Sequence, residues 1–187
     1  APNSIEKSAL ENWEEGVGEL KQKIVIHLEL GEKLLDLSND FEEQRSEILG
    51  MIHNLRTTTE LINRVKNLEN EQKRLTQNCK KIIERWNDDG FSTDEWHERI
   101  DIAPKTTFVT IEAHDALITR AMETVRSIDT LDNSLDEAKE AKNHIENMKN
   151  KISLDNILES EAWLSERRRR NDRYRRRLLN DLEKHKK

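Results

Sequence analysis

Residues 60–87 read ELINRVKNLENEQKRLTQNCKKIIERWN, and this stretch decides the fold. Its seam-forming side chains recur at alternating spacings of four and three residues. The members of this seam are Leu61, Val65, Leu68, Gln72, Leu75, Cys79, Ile82 and Trp86. A repeat of about 3.5 residues stays on one side of an α-helix only when the helix coils around a partner. The stretch therefore predicts a long helix that packs along one side against another helix.

The composition favours long, well-solvated helices over a compact enzyme. Charged residues make up 37% of the 187 residues and apolar residues 34%, with only five Gly and two Pro. Few helix breakers, many charges and a sustained apolar period are typical of helices with thin cores. We expect an all-α fold, an elongated antiparallel helical bundle or coiled coil of about four long helices. It would form a single elongated domain over 1–187, and the first residue, Ala1, suggests a fragment of a larger protein.

Start and stop signals divide the chain into four expected helices. Asp40, with a Glu three residues later, is a capping-box pattern that begins a helix, and Ser153 is a second candidate cap. Gly90 follows two Asp and is a strong stop signal. Pro104 is expected to end a short helix inside a connector. The expected helices span about 4–37, 41–87, 108–151 and 154–184, with the connector at 88–107. One uninterrupted helix from the start to Trp86 stays open as an alternative.

The connector contains two aromatic residues, Phe91 and Trp96. Two interpretations are open. The rings seal the end of the bundle, which is the commoner use of aromatic side chains, or they form a docking spot for a protein partner.

Two seam residues suggest further properties. Gln72 is a polar residue in an apolar seam, and such a residue fixes the register or oligomeric state of paired helices. Cys79 is the single cysteine, so an internal disulfide is excluded and a reducing compartment fits. We expect an intracellular, cytoplasmic location, with association with the cytoskeleton and a nuclear location both left open. No apolar run approaches the ~20 residues that a membrane span needs, so no transmembrane segment is expected.

A basic cluster near the end of the chain is the strongest deviation in charge. Its members are Arg167, Arg168, Arg169, Arg170, Arg173, Arg175, Arg176 and Arg177. From residue 167 onward, eleven Lys and Arg against three acids give +8, so a total of −6 leaves −14 on residues 1–166. Three interpretations are open. The segment is a solvated helix end or folds against acidic faces of its own bundle or of a paired chain. It contacts an acidic surface of another protein, or it binds the phosphates of nucleic acid or lipid headgroups.

The segment EAWLSE at 161–166 resembles the Trp-containing start of the first helix in spectrin-type repeats. The resemblance covers six residues. The four Trp of the chain, at 13, 86, 96 and 163, do not recur at one fixed spacing of repeat length. The resemblance implies general three- or four-helix packing and does not establish family membership.

No catalytic motif accompanies these helices. The six His are scattered, no Cys or His pair has metal-ligand spacing, and no Gly-rich phosphate loop occurs. We expect a non-enzymatic protein with no catalytic residues, no metal site and no cofactor. The expected function is a helical scaffold or adaptor that mediates protein–protein assembly, as in a cytoskeletal, motor or tethering complex. Its partner would be another protein with an acidic surface or a helix, or a second copy. The alternative is a nucleic-acid or acidic-membrane binding module acting through 167–177.

Overall fold

A computed structural model describes residues 4–131 and 135–185. All regular structure in these residues is helical, which confirms the all-α prediction. The α-helices are α1 (Ser4–Leu35), α2 (Glu42–Leu49), α3 (Thr58–Asp88), α4 (Asp94–Ile102), α5 (Pro104–Asp129), α6 (Leu135–Asn150) and α7 (Leu154–His185). Two 3-10 turns lie at Asn39–Phe41 and Leu55–Thr57. Within the described ranges, no helix has the length and apolar character needed to cross a membrane.

The helix predicted over 41–87 is divided into α2 and α3. The interruption begins at Gly50, and Asn54 caps the next turn by accepting from the Arg56 amide at 3.1 Å. The Thr57 hydroxyl donates to the Asn54 carbonyl at 2.7 Å. Short polar side chains of this kind compete with helical hydrogen bonds, which favours a break where they cluster. The three consecutive Thr, which dilute the apolar seam, were the sequence signal of this break.

A buried histidine of α1 fills the gap between α2 and α3. Its ring Nδ1 lies 2.6 Å from the Ile52 carbonyl and its Nε2 lies 2.9 Å from the Thr58 hydroxyl. That residue, His27, is only 3% exposed. One turn further along α1, a Cβ on Gly31 would lie 2.8 Å from Cδ1 of Ile52. The glycine therefore permits the close packing of α1 against the break.

The helix predicted over 108–151 begins earlier and is also divided. Pro104 begins α5 instead of ending α4, since its fixed φ suits the first helical position. The Asp40 carboxylate accepts from the backbone amides of Lys105 at 2.7 Å and Thr106 at 3.0 Å. Asp40 was predicted to cap its own helix, and it caps α5. The connector 88–107 thus contains α4 and the first turn of α5, and residues 132–134, between α5 and α6, lie outside the described residues.

The chain forms two compact units. Unit 1 comprises Ala1–Lys80 and Glu95–Phe108, and unit 2 comprises Lys81–Asp94 and Val109–Lys187. The single elongated domain over 1–187 stays a prediction. The core of unit 1 is built from the inner half of α1, α2 and the first part of α3. Its buried members are Leu30, Leu34, Leu37, Phe41, Ile48, Leu61, Val65, Leu68 and Leu75.

The core of unit 2 joins the end of α3 to α5, α6 and α7. Its buried apolar members are Ile83, Trp86, Phe91, Ile111, Ile118, Ala121, Val125, Ile128, Ala141, Met148, Ile157 and Leu164. α6 packs against α7, and the Ser153 hydroxyl caps α7 by accepting from the Asn156 amide at 3.2 Å. The indole of Trp86 donates to Asp115 at 2.7 Å, so its one polar atom is satisfied in the core.

The end of α3 is the stop predicted at 87–90. The Gly90 amide donates to the Asn87 carbonyl and the Phe91 amide to the Trp86 carbonyl, both at 2.9 Å. These two bonds form a Schellman motif, which requires a residue with positive φ after the helix. Gly90 supplies it, at a φ of 83°.

Replacing Gly90 by Ala is expected to lower the free energy of unfolding by about 1 kcal/mol, because an L side chain is strained in the left-handed region. The added Cβ would also lie 3.1 Å from the Lys149 Nζ, which must move. Urea unfolding followed by circular dichroism measures the change. Gly18→Ala is the matched control, since nothing lies within 4 Å of its Cβ position, and it should not destabilise. A Gly90→Ala protein as stable as the parent would contradict this account of the turn.

Candidate interaction surfaces

The α3 seam lies inside the protein and does not offer a surface. The structure buries Leu61, Val65, Leu68, Leu75, Cys79 and Trp86, and leaves Gln72 and Ile82 half-buried. Ile83 takes the buried position expected for Ile82, because a straight helix drifts away from a strict 3.5-residue repeat. Gln72 accepts from the Ser38 backbone amide at 2.8 Å, so it holds the turn after α1.

Cys79 is fully buried, and its thiol donates to the Pro104 carbonyl at 3.7 Å. Burial raises the pKa of this thiol, since the thiolate is poorly solvated there. The side chain therefore acts as a small packing group and not as a nucleophile.

The connector aromatics are also interior. Phe91 is 2% exposed in unit 2, and Trp96 is 3% exposed in unit 1. Neither ring is exposed on the surface of its unit, and the docking interpretation of Phe91 and Trp96 stays a prediction. Both serve as core residues of their own units.

The first half of α1, residues 4–25, is a helix without cover. Every residue in it is exposed apart from the half-buried Val17. Its apolar seam is continuous with the second part of the seam on the same helix, where His27 and Leu34 are buried. The exposed members are Leu10, Trp13, Leu20 and Ile24, with 56%, 66%, 49% and 43% of their surface open. The seam of α1 is therefore part of the core only from residue 26 onward.

The second half of α7, residues 168–185, repeats this arrangement at the other end of the chain. Ile157, Ser160, Leu164 and Arg167 form a buried seam at spacings of three and four residues. The same spacing continues through Asn171, Tyr174, Leu178 and Leu182, and the last three are 65%, 46% and 60% exposed. Only Asn171 among residues 168–185 is half-buried. Eight Lys and Arg against three acids give this segment a net charge of +5.

Arg167 does not belong with the exposed basic residues. Its side chain is 6% exposed and forms ion pairs with Glu137 at 2.6 Å and Glu140 at 3.3 Å. Its guanidinium also lies over the Trp163 ring, 5.4 Å from the centroid. The other seven members of the predicted basic cluster are exposed: Arg168, Arg169, Arg170, Arg173, Arg175, Arg176 and Arg177. Contact with an acidic face of the same bundle is one of the interpretations that the sequence left open, and Arg167 makes such a contact with α6.

An apolar cleft of about 290 Å³ lies in unit 1 where the exposed seam of α1 meets the covered one. Its lining residues are Ile24, His27, Leu28, Ile52, His53 and Leu55. This cleft extends the apolar surface of α1 onto the turn that precedes α3. It was not predicted, because it depends on the break between α2 and α3.

No protein-family model, curated protein or solved structure matches the chain. Among residues 4–131 and 135–185, no three His, Cys, Asp or Glu side chains converge as metal ligands.

A bidentate ion pair joins the first half of α7 to α5. The Arg120 guanidinium donates to the Glu161 carboxylate through Nε at 2.7 Å and Nη2 at 2.6 Å. Hydrogen bonding from Arg120 lowers the pKa of Glu161, with the positive charge of Arg120 adding to the effect. Paired, planar contacts of this kind give orientation as well as stability. The pair thus adds a contact between α5 and the buried half of α7.

Because the pKa of Glu161 is lowered on folding, its ion pair stabilises the fold above the ordinary Glu value of 4.5. That contribution is lost as the pH falls through the lower folded value. Glu161→Gln should therefore be less stable than the parent at neutral pH, and the difference should vanish in acid. Urea unfolding across this range measures it, with the exposed Glu159→Gln as control. A stability difference that does not depend on pH would contradict the assignment.

Proposed function

We propose that the chain is a non-enzymatic helical module that mediates protein–protein assembly. The observation that carries the proposal is that α1 and α7 each continue a buried seam into an exposed half that contains large apolar side chains. A seam of this spacing is suited to a partner helix. The scaffold or adaptor role in an intracellular complex, such as a cytoskeletal or tethering assembly, follows from this mode of contact.

The energetics favour a partner on these surfaces. Covering a large apolar side chain contributes roughly 1.5–3 kcal/mol relative to leaving it exposed. Isolated helices shorter than about 12–15 residues are only marginally stable in water. Longer helices are usually stabilised by packing against other parts of a protein. In the first half of α1, Trp13 offers the largest apolar side chain, and the cleft beside Ile24 offers a concave site for one from the partner. The coiled-coil pairing predicted from the sequence is proposed for these exposed halves.

A photo-crosslinking amino acid at Leu20 tests the proposal. In cells that contain the full protein, it should capture a partner, whereas the same group at Val109, which is 65% exposed on α5, should not. The captured protein is then purified and mixed with the chain.

Leu20→Glu is expected to weaken that reconstituted complex at least roughly tenfold, which corresponds to about 1.4 kcal/mol. Its thermal stability should match that of the parent, because Leu20 is 49% exposed in the uncovered half of α1. Equal capture from Leu20 and Val109, or binding unchanged by Leu20→Glu, would overturn the proposed role of the α1 seam.

A second candidate function is binding of nucleic acid or an acidic membrane. The observation in its favour is the exposure of seven Arg in ten residues of α7, including Arg168, Arg169 and Arg173. Arg suits phosphate, since its planar fork donates two hydrogen bonds at once.

For duplex DNA, the logarithm of the binding constant should fall linearly with the logarithm of salt, with a slope of about −0.9 for each phosphate contact. Replacing Arg168, Arg169 and Arg173 together by Ala should make that slope less steep by about 0.9 for each of roughly three lost phosphate contacts. Replacing Lys7, Lys21 and Lys23 of α1 by Ala is the control and should leave the slope unchanged. Vesicles containing phosphatidylserine test the membrane form in the same way. Binding that is insensitive to salt would exclude this candidate.

A further inference from the structure

The two exposed helix halves carry opposite charges. Residues 168–185 of α7 have a net charge of +5, whereas residues 4–25 of α1 contain five Glu and three Lys. We propose that the exposed half of α7 in one chain pairs in parallel with the exposed half of α1 in a second copy of the same chain. This inference rests on the proposed assembly function and names its partner.

The two halves match in length and in seam. They contain 22 and 18 residues, which correspond to roughly 33 and 27 Å of helix. In α1 the seam runs through Leu10, Trp13 and Val17, and in α7 it runs through Asn171, Tyr174 and Leu178. Both sets have spacings of three and then four residues. One register therefore places Tyr174 beside Trp13 and Leu178 beside Val17.

The charge pattern selects the direction of pairing. Residues 4–19 of α1 carry five Glu and one Lys, a net of −4, and Lys21 and Lys23 follow. In α7, residues 168–177 carry seven Arg and one Asp, a net of +6, and residues 178–185 carry two acids and one Lys, a net of −1. The sign therefore reverses near the same point of both helices. Parallel pairing places segments of opposite net charge together.

Antiparallel pairing and pairing of like halves are disfavoured by the same charges. An antiparallel arrangement would place Lys21 and Lys23 against the Arg at 168–170. Pairing of two α7 halves would bring together two segments that each have a net charge of +5. The residues that flank each α7 seam are Arg168, Arg170, Arg175 and Arg177. Like charges at flanking positions repel across paired helices. The complementary surface that the chain itself provides is the exposed half of α1.

Such a contact joins two different surfaces, so it is heterologous. A copy that is bound through its exposed α7 half can still bind another copy through its exposed α1 half. A copy that is bound through its α1 half likewise keeps its α7 half available. Heterologous contacts repeat until they close into a ring or extend as a filament. We therefore expect concentration-dependent association without a fixed dimer end point.

Light scattering and sedimentation equilibrium from micromolar to millimolar protein test the pairing. The parent should rise above the mass of one chain, and added salt should lower that mass. One variant carries Arg173→Glu, Arg176→Glu and Arg177→Glu, and the other carries Glu11→Arg, Glu14→Arg and Glu15→Arg. Each variant alone should stay a single chain, because its two halves then have the same sign. An equal mixture should associate again.

Disulfide trapping tests the direction. One chain carries Leu182→Cys and the second carries either Leu20→Cys or Leu10→Cys. Parallel pairing should give the 182–20 cross-link several-fold faster than the 182–10 cross-link, and antiparallel pairing should give the reverse. The native Cys79 is buried, so the parent provides the background. Circular dichroism checks that every variant remains helical.

A parent that stays a single chain at every concentration, association that survives in both charge variants, or a dominant 182–10 cross-link would each overturn this inference. The assembly function fails separately. If the chain does not self-associate but the group at Leu20 captures a different protein, the proposed function stands and only the identity of its partner is wrong.

Discussion

An apolar seam on a helix must be covered, and the extent of that cover organises the whole chain. The seam of α3 is covered from Leu61 to Trp86 and supplies the spine of both cores. The seams of α1 and α7 have the same spacing but are covered over only one half of each helix. A helix that extends beyond the part packed in the core keeps its local hydrogen bonds, and the apolar side chains of the extension remain accessible to a partner. The surfaces proposed for function are thus continuations of the cores.

Polar side chains determine where each helix starts and stops, and several act from distant parts of the chain. Asp40 caps α5, which begins 64 residues later at Pro104. Gln72 holds the Ser38 amide across 34 residues, and His27 bridges both sides of the break between α2 and α3. Each of these three side chains pairs with at least one backbone group near a helix end. Helix ends and core packing are therefore coupled in unit 1.

The charge distribution gives the exposed halves their selectivity. Burial of apolar area alone would allow α1 and α7 to pair with many helices. In the proposed pairing, the Arg on both flanks of the α7 seam disfavour basic partners and a second α7, and the net acidic start of α1 complements them. Arg167 shows how the protein uses the same chemistry internally, since this first Arg of the run is paired with Glu137 and Glu140 on α6.

The sequence by itself determined the helical class, the stop at Gly90, the cap at Ser153 and most of the α3 seam. These depend on local geometry, because spacing, caps and a positive φ are properties of a few neighbouring residues. It also pointed to the basic end of α7. Only the tertiary structure decided which seams are covered, that Phe91, Trp96 and Arg167 are interior, and that Asp40 caps α5. The reason is that an apolar stripe or a carboxylate has the same local pattern whether or not a partner reaches it. Cover is a property of distant contacts, and these are set by how the helices pack.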